Sequence, residues 1–250
     1  MMWRRLFQLL TILAIIVFVV VTLAFSAKES RNTTCNNIEV IFREDDQIKI
    51  DREEIIRLVK SADTKLMGKQ LRKINADHIE KEIEKHQAVF KAEVYKITAK
   101  DTTSYSGILG VRVKHREPAV RIMSSSGSYY LDSYGEKIPV SVNYTANVLV
   151  VTGNFSDTYA SEKLLPFVLF IENDNFWKAQ IQQVHVENQE ELILTPLVGD
   201  HLIDIGSADD YQEKLSNMKA FYKQVLARNN WNKYERISVK YRNQVIAKRR

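Results

Sequence analysis

The chain has 250 residues, 45% of them hydrophobic and 27% charged, with a formal charge of +5 and one cysteine. A single cysteine excludes an internal disulfide, so a domain outside the cytoplasm must rest on its apolar core. The small positive excess, with Lys248, Arg249 and Arg250 contributing much of it, reads as a solvated tail rather than a nucleic-acid or lipid-headgroup patch.

Residues 6–25 contain no charged side chain, and Met1-Met2-Trp3-Arg4-Arg5 precede them. Counted on to Ala27, the run is about 22 residues, or ~33 Å as a helix, which matches a bilayer core of ~30 Å. A signal peptide is the competing reading, because Ala24-Phe25-Ser26 has the small-x-small form of a cleavage site. The run is longer than a signal core, so a single membrane span over 6–27 is expected, anchored by Trp3, Arg4 and Arg5. Residues 1–5 then stay cytoplasmic and the rest lies outside, since long domains cross largely regardless of charge.

After a polar spacer over 28–36, residues 38–42 read as a strand. Asp51 and Glu54 have the spacing of a capping box ahead of a helix over 52–61, with Ile55, Ile56, Leu58 and Val59 at helical spacing. Gly68 interrupts, Leu71 and Ile74 follow as apolar pegs, and Asn75 or Asp77 caps a second helix with Ile79 and Ile83 on one face. Two strands are expected over 89–97 and 108–113. The resulting βααββ module over 37–116 buries one sheet face under its helices and leaves the other face, and an edge strand, open.

In the second half, 147–152 reads as a buried strand, and Ser161 is placed to cap a helix from Leu164 to Ile171 with a kinked start at Pro166. Strands near 180–187, 191–196 and 201–205 precede a second capping box, Ser207 with Asp210. The helix it opens carries Leu215, Met218, Phe221, Tyr222 and Val225 on one face, a stripe typical of a core. In 234–241, Ile237, Val239 and Tyr241 alternate with Arg236, Ser238 and Lys240. Arg242, Asn243 and Gln244 form a turn, and Val245 to Ala247 return. Little sequence remains to cover that hairpin, so an open edge, a template for a partner's strand, is expected there.

No chemistry is legible. His78, His86, His115, His185 and His201 form no HExxH or Cys/His cluster and read as exposed or capping residues. Neither a G-x-S-x-G elbow nor a phosphate-binding glycine loop occurs. Asp45-Asp46 and Asp209-Asp210 fall at turns or helix starts, and Cys35 reads as an incidental thiol. No catalytic residue, metal or cofactor is expected.

The βααββ order with Gly68-x-x-Leu71-x-x-Ile74 between the helices resembles a POTRA domain. Beyond it, Arg116-Glu117-Pro118-Ala119, Tyr130-Leu131-Asp132 with Gly135, Asp174 to Ile181, and Leu194 to Gly199 resemble landmarks of the bacterial cell-division family FtsQ/DivIB, in the same order. The resemblance implies an α+β fold: one transmembrane helix, the POTRA-like domain, and a second mixed domain over 117–250 ending in an antiparallel hairpin. It implies a non-enzymatic, single-pass type II scaffold of the inner membrane, with both domains periplasmic, that holds FtsB- and FtsL-like partners at the septum by β-strand addition.

By the same resemblance Ile237, Val239, Lys240, Tyr241, Asn243 and Val245 bind the partner, and Arg116 and Pro118 act as a hinge. Gln244 stands where the family commonly has glycine. Tyr241→Ala, or a chain ending at residue 235, is expected to lose the partner and keep the remaining fold. An envelope enzyme or chaperone is the alternative, which a deep pocket of converging titratable groups would favour.

Overall fold

The computed structural model describes residue 10 and residues 12–22, 33–44, 46–100, 105–142, 144–228 and 231–250. Residues 12–22 are helical, and among the described residues no helix is long and apolar enough to cross a membrane. Apart from these and residue 10, the expected span 6–27 lies outside the described residues, as do Trp3, Arg4 and Arg5. The side chains from Ile12 to Val21 point to solvent on every side of that helix, Phe18 being 69% exposed.

Two compact units follow from the backbone, one of residues 1–44 and 50–114, the other of residues 45–49 and 115–250. The first holds β1 (Cys35–Phe42), α1 (Arg52–Ala62), a 3-10 turn (Leu71–Lys73), α2 (Ala76–Glu84), β2 (Val89–Lys100) and β3 (Tyr105–His115). Its sheet runs β1-β3-β2, with β1 parallel to β3 and Val40 opposite Val111. Ile55 and Val59 of α1 and Ile79 and Ile83 of α2 are buried, as are Leu109, Val111 and Val113 of β3.

The expected capping box at Asp51 does not close. Its carboxylate accepts from Glu53 N, while the Glu54 carboxylate lies 3.3 Å from His86 instead of reaching back. At α2 the cap is Asn75, which accepts from His78 N.

Where one open edge strand was expected, each edge of this sheet is engaged over part of its length. Along β2, the amides of Ala92 and Val94 donate to the Glu84 and Glu80 carboxylates of α2. At the start of β1, Cys35 N donates to Lys69 O and Gly68 N to Cys35 O, with Gly68 at φ +79° making the turn. Cys35 itself is fully buried.

The second unit is one nine-stranded sheet in the order β12-β11-β10-β9-β8-β7-β4-β5-β6. The strands are β4 (Pro118–Ser124), β5 (Gly127–Asp132), β6 (Lys137–Pro139), β7 (Leu149–Gly153), β8 (Ile181–Val186), β9 (Leu192–Pro196), β10 (Leu202–Gly206), β11 (Tyr234–Ser238) and β12 (Ile246–Arg249). Its core packs Val120, Val151, Val184, Leu194, Ile203 and Ile237 from the sheet against helical side chains that include Leu164, Phe167, Trp177, Leu215 and Tyr222.

The first of those helices, α3, runs through Asp157–Tyr159, a π-turn over Ala160–Leu164, and Leu165–Asn173. Its cap is Ser156, which accepts from Tyr159 N, whereas the expected Ser161 bonds back to Asp157 O and Thr158 O inside the helix. Pro166 has no N–H for an ordinary helical bond, and the wider π register just before it accommodates that loss. Asp174 then caps α4 (Asn175–Gln180), accepting from Phe176 N and Trp177 N. At α5 (Tyr211–Phe221) the expected Ser207–Asp210 box is absent: Asp210 takes φ +52° with no side-chain cap, and Ser207 O accepts from Lys214 Nζ.

Candidate partner-binding edge

Strand β11 lies between β10 and β12, so it is not the outer edge. It is parallel to β10, with Ile203 opposite Ile237, and antiparallel to β12, with Ile237 opposite Ala247. Ile237 and Val239 were expected to meet a partner, yet both are fully buried in the core. Their alternation marks the core-facing side of an internal strand. A chain ending at residue 235 would therefore strip β11 from the core, not merely an edge.

The edge passes to β12. Arg250 N donates to Lys233 O at 3.2 Å, so its amide points toward β11. The ladder is irregular between Tyr234 and Arg236, so the direction further along is read from β11. Val239 N donates to Asp204 O, which turns the main-chain groups of Ile237 toward β10 and those of Arg236 and Ser238 toward Lys248 and Ile246. The groups of Lys248 and Ile246 therefore face inward, while those of Ala247 and Arg249 face outward. Side chains alternate across the faces as well. Ala247 and Val245 pack against the core, whereas Ile246 is 50% exposed.

The turn into β12 is built by Asn243, at φ +57°. Asn tolerates that left-handed conformation, so the turn closes with Gln244 after it and needs no glycine there, and Gln244 N donates to Tyr241 O. Tyr241 is 53% exposed beside it, with Lys240 Nζ 5.7 Å from its ring centre. Lys240 also meets Glu191 at 3.3 Å, and that carboxylate raises its pKa. Within β12, Lys248 meets Glu235 of β11 at 2.9 Å and holds that carboxyl below its usual range.

Of the residues expected to bind a partner, Tyr241, Asn243 and Lys240 thus lie around the turn, Val245 leads into the edge strand, and Ile237 and Val239 do not reach the surface. Ile246, Ala247 and Arg249, which were not singled out, lie in the outermost strand β12. Val245 to Ala247 read as the returning strand of the hairpin, and only Lys248, Arg249 and Arg250 as a solvated tail.

The opposite edge is closed differently. In β6, Pro139 carries no N–H, and its carbonyl accepts from the Tyr144 hydroxyl. The residues expected to form a hinge sit close to this end of the sheet: Arg116 bonds Asp132 at 2.7 Å, and Pro118 opens β4 opposite Asp132. Asp132 also accepts from Tyr134 N and Glu136 N, so one carboxylate organises the β5–β6 hairpin and fastens Arg116.

The histidines are not all exposed or capping. His115 is buried against Asp46, and buried His201 bonds the Tyr222 hydroxyl at 3.0 Å; desolvation lowers its pKa and raises that of Tyr222. Among the described residues no three His, Cys, Asp or Glu side chains converge as metal ligands.

A POTRA-like domain model matches residues 33–102. No curated protein matches the chain. A model described as FtsQ/DivIB, C-terminal related, matches residues 117–248, from just before β4 to within one residue of the end of β12 and more than half of the chain. A sheet that starts at the Arg116–Asp132 lock and ends on β12 is thus the part the family shares, and the chain belongs to the FtsQ/DivIB family of cell-division scaffolds, with a POTRA domain ahead of that sheet.

Proposed function

We propose that this chain is a single-span inner-membrane scaffold of the division machinery, with its folded units outside the cytoplasm, that receives an extended segment of an FtsB- or FtsL-like partner along the outer side of β12. The observation that carries the reading is that β12 ends the nine-stranded sheet with half-exposed Tyr241 and Ile246 beside it, while among the described residues each of the other three sheet edges is engaged over part of its length, by Glu80 and Glu84, by the 68–70 segment, or by Tyr144. A helix that is apolar all round, as in residues 12–22, suits a lipid environment and supports the anchor.

Magnitudes limit what the backbone alone supplies. The two outward residues offer two N–H and two C=O groups, worth ~1 kcal/mol each net, or about 4 kcal/mol in all. That corresponds to roughly millimolar affinity. Side chains must add the rest, and Tyr241 and Ile246 are the exposed apolar groups beside the strand. The test is co-purification of FtsB- and FtsL-like partners with the membrane-inserted full chain and with a version ending after residue 244. Loss of the partners with the shortened chain is the expected result, together with the lower thermal stability that losing the β11 ladder and the Val245 and Ala247 packing brings; equal recovery rejects β12 as the docking strand.

A further inference from the structure

His201 is 1% exposed, at the turn between β9 and β10, and its Nε2 lies 3.0 Å from the Tyr222 hydroxyl. Tyr222 opens the π-turn (Tyr222–Leu226) that continues α5, and its ring stands 5.7, 5.9 and 5.5 Å from those of Phe176, Trp177 and Trp231. Gly199, at φ +89°, brings the turn so close to the imidazole that a Cβ there would stand 2.8 Å from Nδ1. Nδ1 itself has no hydrogen-bond partner among the described residues. The neighbouring Asp200 holds the end of the chain: its carbonyl accepts from the Arg250 guanidinium at 2.8 Å, and its carboxylate meets the same group at 3.4 Å. One buried histidine thus sits where the β9–β10 turn, the end of α5, the segment ahead of β11 and, through Asp200, the end of β12 come together.

We propose that His201 is an acid-sensitive latch for this end of the sheet, and that a proton on its ring releases the 199–201 turn together with the β11–β12 hairpin. The latch acts on the strand assigned above to the partner, but it does not depend on that assignment. A neutral imidazole satisfies Tyr222 through Nε2, whereas a charged one brings a second N–H and a full charge into a site walled by aromatic rings. The titratable groups facing it are Tyr222, which is neutral, and Asp200, whose carboxylate is already paired with Arg250. Burial lowers the pKa of His201 and outweighs the Trp231 carbonyl and the Asp200 charge, which favour the proton. Once the hairpin opens, the ring reaches water and takes up a proton near the ordinary value of ~6.5, so acid favours the open form. Closure is therefore firm above pH ~6.5 and weakens as pH falls below it, by up to about tenfold per pH unit for one proton.

The full chain, in nanodiscs of neutral lipid and without a partner, is followed by hydrogen exchange and mass spectrometry from about pH 7.5 to about pH 5, with protection factors corrected for the intrinsic exchange rate. The expected result is that protection of peptides from 231–250 falls below pH ~6.5 by up to about tenfold per pH unit, while that of β4 and β7 falls far less. His201→Gln keeps a polar side chain that does not titrate and is expected to flatten the fall. If that variant folds poorly, the unaltered chain carries the test: the His201 ring, followed by NMR, must stay neutral in the closed form below pH ~6.5 while the hairpin loses protection. Protection of 231–250 that does not change across the range overturns the proposal. So does a fall shared equally by β4 and β7, a fall that persists in His201→Gln, or a His201 ring that is charged in the closed form at pH ~6.5.

Discussion

His115 Nδ1 lies 2.7 Å from Asp46 Oδ2, with the two side chains 1% and 4% exposed. His115 ends β3 and Asp46 comes from the connection after β1, yet both belong to the same compact unit as the nine-stranded sheet. Removing one member of a buried polar pair leaves the other without its partner in a low dielectric, a loss of ~3 kcal/mol or more. Asp46→Ala and His115→Ala are each expected to destabilise the chain by that amount in urea unfolding, and the double variant by clearly less than their sum. Additive losses would show that the two residues act separately.

The pair also marks where sequence reasoning stops. Helical spacing made Ile55, Val59, Ile79 and Ile83 legible as one buried set, because a period of 3.6 is a local property. Contact between residues 46 and 115 is not local and leaves no period. The cap of α3 was misread for a related reason: Ser156 and Ser161 are both acceptable cap residues, and only the π-turn, which adapts the helix to Pro166, decides between them. At the candidate site, alternation correctly gave β11 one buried face. It does not say which strand is outermost, and that took Ile237 and Val239 from the surface to the core.

Asp174 offers a pH test. Its carboxylate accepts from Lys219 Nζ at 3.0 Å and from the amides of Phe176 and Trp177, and these contacts, the Lys219 bond foremost, hold its pKa below the usual carboxylate value. A depressed folded-state pKa contributes stability that is present above the unfolded value of ~3.9 and disappears as pH falls through the folded value. Asp174→Asn keeps a cap acceptor and loses the ion pair, so it is expected to cost about 1 kcal/mol or less at neutral pH. Urea unfolding of both forms at a series of pH values should show the gap closing below pH ~4. A gap that persists unchanged into acid would place the effect elsewhere.

Stability and binding should separate between Ile237 and Tyr241. Ile237 is fully buried, and truncating such a side chain leaves a cavity, so Ile237→Ala is expected to cost ~2–5 kcal/mol. Tyr241 is half exposed beside the turn, so Tyr241→Ala should change stability by less than ~1 kcal/mol. If the tyrosine is an anchor for the partner, the same change weakens capture by ~2 kcal/mol, about thirtyfold. Parallel measurement of unfolding and of partner affinity checks both, and a Tyr241→Ala protein that unfolds easily would contradict its placement at the surface.

The direction of single amides along β12 allows the sharpest test of strand addition. Ala247 turns its N–H outward, away from the ladder with β11, so proline there removes a donor that only an added strand would use. Proline is tolerated on an edge when its missing N–H would have faced solvent. Ala247→Pro is therefore expected to keep the thermal unfolding temperature within a few degrees and to abolish partner capture. One residue on, Lys248 turns its N–H inward, so Lys248→Pro breaks the chain's own hairpin and should lower stability by ~2 kcal/mol or more as well as binding. The two substitutions carry the same ring one position apart, so backbone stiffness is held fixed while the direction of the lost amide reverses, and Lys248→Ala measures separately the loss of the Glu235 contact. Equal effects of the two on stability would mean that the alternation inferred from the Arg236–Lys248 and Ile237–Ala247 pairs does not hold along β12, and undiminished capture by Ala247→Pro would leave the partner to bind through side chains alone.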